Sequence, residues 1–180
     1  MKYFVIVSLL LCSYLCIVQC QVGNKPAPDV SSLAGVGAIC IRVDSMNQTL
    51  QKQGVLGEDL RIMIESMFRT SGVTPDSMCD ANSPQLHVRM MCLPAGVQNT
   101  QTVGLAYYIR LEFIQVCQVP QSISVDGQMK KINMYYSLPT WSKETLVVSS
   151  SLQFSDNLHK DLRSLTESFI NDYLTVNPKK

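Results

Sequence analysis

Apolar and polar residues alternate through "AICIRVD", residues 38–44, putting Ile39, Ile41 and Val43 on one side and Cys40, Arg42 and Asp44 on the other. A period of two predicts a half-buried strand. The pattern then changes to a helical period in "GEDLRIMIESMFRTSG", residues 57–72, where Leu60, Met63, Ile64, Met67 and Phe68 form one stripe. Glu58 and Asp59 suit the positive end of that helix's dipole, and Gly72 suits its C-cap.

Period two returns in "QLHVRMMCL", residues 85–93, with Leu86, Val88, Met90 and Cys92 inward and His87, Arg89 and Met91 outward. The clearest strand is "LAYYIRLEFIQVCQV", residues 105–119. Leu105, Tyr107, Ile109, Leu111 and Phe113 share one face, and Ala106, Tyr108, Arg110 and Glu112 share the other. The apolar phase then slips to Ile114 and Val116, which predicts a bulge or bend near Phe113. Asp126-Gly127 is a turn signal. After it, "KINMYYSLPTW" (131–141) predicts a strand with Ile132, Met134, Tyr136 and Leu138 inward, while Pro139 ends it or marks an edge. "ETLVVSSSL" adds a short extension at most. In the last segment Leu158, Leu162, Leu165, Phe169 and Tyr173 recur at helical spacing, with Ser155 or Asp156 as the expected N-cap.

The order β-α-β-β-β-α predicts an α+β fold: a four-stranded mixed sheet with two helices packed on one face. Strands one and two are expected to be parallel across the helical crossover, and the later strands antiparallel.

The N-terminus sets the expected compartment. Lys2 precedes residues 3–18, which carry no charge, and this is the layout of a secretory signal peptide. A membrane-spanning helix needs about 20 apolar residues. The run here stops short of that, so a retained anchor is the lesser alternative. "IVQC" resembles a lipobox ending at Cys20, but Gln19 stands where that motif wants a small residue. The expected division is a signal peptide over 1–20, a flexible leader over 21–34 and one α+β domain over 35–180.

Removing Lys2 with the signal peptide leaves equal numbers of acidic and basic side chains, since the whole chain has 15 basic and 14 acidic. A neutral chain has no global field to draw nucleic acid. Four cysteines remain beyond residue 20, namely Cys40, Cys79, Cys92 and Cys117. In an exported chain they are disulfide candidates, with three pairings open. Asn47-Gln48-Thr49 is a glycosylation sequon that matters only in a eukaryotic source.

Catalytic motifs are not found. No nucleophile elbow, metalloprotease helix, phosphate loop or C-x-x-C is present. His87 and His159 both read as solvated surface histidines, and the separation of His87 from Cys92 puts them on opposite faces of one strand. No metal and no cofactor is expected, and an enzyme ranks third among the readings. The face away from the helices collects Arg42, His87, Arg89, Tyr108, Arg110 and Tyr135, residue types enriched where proteins bind one another. The alternative for these residues is an ordinary solvated sheet face.

The element order, the export signal and the ending "SLPTW…LVVSS…FINDYLTVNPKK" resemble small exported α+β proteins of the Gram-negative cell envelope. The architecture is similar to assembly-factor domains such as the lipopolysaccharide-assembly lipoprotein and curli-secretion families. The resemblance covers 38–177 in element order and transfers no functional residue. It implies a non-catalytic, periplasmic or secreted interaction module with an envelope or extracellular protein as partner; lipid and glycan are lesser candidates. The alternative is a small-ligand or lipid carrier with a cavity between helices and sheet, lined by Met63, Met67, Met90 and Met134.

Overall fold

The computed structural model describes residues 29–80, 82–98, 101–125 and 128–178. The expected signal peptide, Cys20 and the expected turn at Asp126-Gly127 lie outside the described residues.

Four strands form one sheet in the order β1-β2-β3-β4, with β1 at Cys40–Val43, β2 at Gln85–Gln98, β3 at Gln101–Val125 and β4 at Gln128–Ser150. β1 and β2 are parallel, and the other two pairings are antiparallel. Three helices accompany the sheet: α1 (Gln48–Lys52), α2 (Gly57–Ser71) and α3 (Phe154–Val176). The α+β fold and the mixed four-stranded sheet match the pattern of the sequence, and the short α1 is an addition to it. Asn47 starts α1 by accepting the Leu50 amide on its side chain. Its own amide donates to the Cys92 carbonyl at 2.6 Å, so the sequon nitrogen is tied into the fold.

One face of the sheet packs against α2 and α3. Leu86, Val88, Met90 and Cys92 of β2 meet Leu105, Tyr107, Ile109, Leu111 and Phe113 of β3, all buried as their alternation requires. Leu60, Ile64 and Phe68 of α2 and Leu158, Leu162 and Phe169 of α3 close this core from above. Phe169 is its hub, with ring centroids 5.8 Å from Phe68, 5.6 Å from Phe113 and 4.9 Å from Trp141. Gly72 ends α2 at φ 76°, a left-handed conformation that glycine adopts without a side-chain clash. A disulfide joins Cys40 to Cys79, tying β1 to the loop beyond α2, while Cys92 and Cys117 stay free.

Several expectations need correction. Residues 29–34 do not belong to a flexible leader. Val30–Leu33 form a 3-10 turn capped by Asp29, Leu33 is fully buried, and the Leu33 carbonyl accepts a bond from Asn177. The N-cap of α3 is Gln153, two or three residues before the expected Ser155 or Asp156, and it makes no side-chain cap bond. The irregularity beside Phe113 lies on the partner strand: Phe113 opposes Trp141 while Ile114 opposes Pro139, so Thr140 is the extra residue. Pro139 does not end β4. It marks an edge instead, the other expectation, because among the described residues β4 pairs with β3 alone.

The largest departure concerns Met134, Tyr136 and Leu138, which are 39%, 38% and 46% exposed instead of inward. β2 begins at Gln85, opposite Ile114, so beyond that row β3 pairs only with β4 among the described residues. The two strands run on as a ribbon past the end of the helical layer. The phase of the alternation is as expected, but nothing described covers the face. Met63 and Met67 do not line a cavity beneath the helices either. They border an open surface groove of about 740 Å³ between α2 and α3.

Candidate interaction face

The sheet surface opposite the helices is organised by register. Arg42, His87, Glu112 and Ser142 lie side by side across four strands. The next row is Arg89, Arg110 and Glu144; then come Met91, Tyr108 and Leu146; then Leu93, Ala106 and Val148. The face therefore has a charged half and an apolar half.

In the charged half, Arg89 stands directly opposite Arg110, a placement that alone would be repulsive. Glu112, only 5% exposed, resolves it. Its carboxylate accepts from Arg110 and lies 3.6 Å from Arg89, which also pairs with Asp44 at 3.2 Å. A buried carboxylate is tolerated because two guanidiniums supply the charge and donors that water would otherwise give. Tyr108 donates its hydroxyl to Glu144. These arginines are thus largely committed within the face, and charge reversal at Arg89 or Arg110 would set a second acid against Glu112.

His87 is half-buried, which corrects the solvated reading. One ring nitrogen meets Gln85 at 2.7 Å; the other is buried without a hydrogen-bond partner, 3.9 Å from Asp44. Burial lowers its pKa from the usual 6.5, and the nearby Asp44 carboxylate only partly opposes this. His159 bonds the Ser155 carbonyl one turn back in α3. Cys92 is buried on the opposite side of the sheet from His87, and burial raises its thiol pKa, so it is a poor thiolate. No cluster of three or more metal-ligating side chains occurs among the described residues.

Five of the six expected face residues are brought together here. Tyr135 is not: it opposes Gln118 on the ribbon, eight residues along β3 from Arg110, or about 27 Å at the usual strand rise. The sequence reading missed Leu93, Leu146 and Val148, which are 56%, 73% and 71% exposed. The signal was present in the alternation Glu144, Leu146, Val148. The segment from Glu144 reads as a short extension at most, whereas β4 runs on to Ser150.

No helix among the described residues is long and apolar enough to cross a membrane. No family model and no curated protein matches the chain. Among solved structures, a match is found to the rare lipoprotein B of Shewanella oneidensis at 9% identity, covering 77% of this chain and 92% of that one, with a TM-score of 0.24. A likeness of that size carries no argument about fold or function.

Proposed function

We propose that the protein is an exported, non-catalytic interaction module whose outer sheet face docks a protein partner. The observation that carries this reading is the registered apolar patch of Met91, Leu93, Ala106, Tyr108, Leu146 and Val148, bordered by a self-neutralised charge network. A dry apolar centre with a polar rim is the anatomy of protein interfaces. Patches of this kind are uncommon on monomers without such a role. The disulfide suits an oxidising compartment. The carrier alternative has less support, because Phe68, Phe113, Trp141 and Phe169 fill the space between helices and sheet.

The test is a photo-crosslinking residue at Leu146 in the native host, compared with the same residue at Lys160 on the far side of the molecule. A partner joined from position 146 alone should bind the purified chain, and Leu146→Asp with Val148→Asp should weaken that binding about tenfold or more. Equal crosslinking at both positions, or unchanged binding by the double variant, removes the reading. Both substituted side chains are more than two-thirds exposed, so the fold should survive.

A further inference from the structure

We propose that the outer edge of β4, residues 144–150, pairs with the same edge of a second copy of this chain. Two four-stranded sheets then continue into one. The proposal rests on the docking reading above and names its partner as the chain itself.

The two edges of the sheet differ in how they are protected. β1 is only four residues long, and the disulfide ties it to the loop beyond α2. β4 runs for 23 residues and, among the described residues, pairs with β3 alone. An unpaired edge offers backbone N–H and C=O groups to any strand that meets it, and natural edges are blunted by proline, lysine or a bulge. The first part of β4 carries all three, in Lys130, Lys131, Pro139, the extra residue Thr140, and Lys143. From Glu144 to Ser150 the sequence ETLVVSS has none of them, and its register with β3 is unbroken.

This open segment is also where the apolar rows of the docking face end. Met91 and Tyr108 lead to Leu146, and Leu93 and Ala106 lead to Val148. Leu146 and Val148 are the most exposed members of their rows, with no fifth strand beside them among the described residues. On the helix side of the same segment, Thr145 and Val147 are half-buried and Ser149 is buried, held by the Asn157 side chain. A strand added here would extend both faces at once.

Symmetry identifies the strand that fits. A two-fold axis normal to the sheet keeps the helices of both copies on one side and makes the new pairing antiparallel. Directly opposed residues then share a face. With the axis at Val147, Leu146 of each copy stands opposite Val148 of the other on the outer face. Thr145 stands opposite Ser149 on the helix side, and Val147 stands opposite itself. Every one of these side chains meets its own kind. An axis at Leu146 would set Glu144 against Val148, and an axis at Val148 would set Leu146 against Ser150. Only the Val147 register joins the two apolar patches, and it opposes no like charges, since Glu144, held by Tyr108, faces Ser150. A two-fold contact must be complementary to itself, a condition that an edge shaped for a different protein has no reason to meet.

The experiment uses the full chain as its host processes it, followed by light scattering across a concentration series. A dimer is expected, and Leu146→Asp with Val148→Asp should raise its dissociation constant about tenfold or more. Register is read by cysteine bridging in a Cys117→Ser background, with oxidised glutathione taking up the two electrons. Opposed residues of an antiparallel pair lie about 4.5 or 5.5 Å apart at Cα, within disulfide reach. Val147→Cys should therefore bridge to itself. Leu146→Cys should bridge efficiently only when mixed with Val148→Cys. A chain that stays monomeric at its highest soluble concentration overturns the proposal; if Leu146 still crosslinks a different protein, the docking reading stands with that protein as partner. A dimer in which Val147→Cys bridges no better than Leu146→Cys also overturns it, because the contact then lies elsewhere.

Discussion

The same two strands behave in opposite ways at their two ends. Between Leu105 and Phe113, β3 carries its apolar residues into a core closed by Phe68, Trp141 and Phe169. Between Cys117 and Ile123 the alternation continues in phase, yet Val119 and its neighbours across the ladder, Met134 and Tyr136, remain 38–40% exposed. Alternation specifies which way a side chain points. It does not specify whether anything waits there, because that depends on the length and placement of elements distant in sequence. α2 and α3 cover β3 only as far as the Phe113 row, and β4 is bulged at Thr140 where that cover ends.

Substitutions can break this contrast. The largest effect is expected at Phe169→Ala, which empties the hub of the aromatic cluster and should cost about 3–5 kcal/mol in urea unfolding. A loss below about 1 kcal/mol would mean that the core is less tightly packed than the ring geometry implies. Next, Glu112→Ala removes the shared partner of Arg89 and Arg110, leaving them opposed. A cost of about 2 kcal/mol is expected, smaller than for a fully buried pair because both arginines retain access to water. Restoration by Glu112→Gln alone would show that hydrogen bonding matters more than charge.

A smaller effect follows from His87. Its pKa is lowered on folding, so below about 6.5 the unfolded chain binds a proton that the folded chain resists. Stability should therefore fall as the pH drops below that value. His87→Gln should flatten the slope there by less than about 1 kcal/mol. An unchanged slope would shift the cause to other groups. The smallest effect is expected on the ribbon, where Met134→Ala and Leu138→Ala should each change stability by no more than about 0.5 kcal/mol. The ribbon amides should also exchange with solvent well before those of 105–113. Slow exchange there would show that the ribbon is covered in solution.

Much of the fold was legible in the sequence. The buried sets of β2 and β3 follow from strict alternation, and the ends of α2 follow from Glu58, Asp59 and Gly72. The parallel pairing of β1 with β2 follows from the intervening helix. What stayed hidden depends on partners far along the chain. Burial of Leu33 requires Asn177 and the end of α3; half-burial of His87 requires Gln85 and Asp44 around it. The disulfide pairing was open for the same reason. Of the candidate face, the arginines and Tyr108 were visible, but their neutralisation by Glu112 and Glu144 appears only when three strands come into register.

The free thiol of Cys92 has a consequence for how the molecule is made. In an oxidising compartment Cys79 meets two rivals, and Cys92 lies only 13 residues away, against 39 for Cys40. A shorter loop closes more readily in an unfolded chain, so early oxidation favours the wrong bond. Once β2 pairs with β3, Cys92 is sealed beneath the helices and only Cys40 remains at hand on that edge of the sheet. Where the sheet assembles before oxidation, the order of assembly acts as the proofreader of the covalent structure; where oxidation comes first, a Cys79–Cys92 bond must be undone by thiol–disulfide exchange.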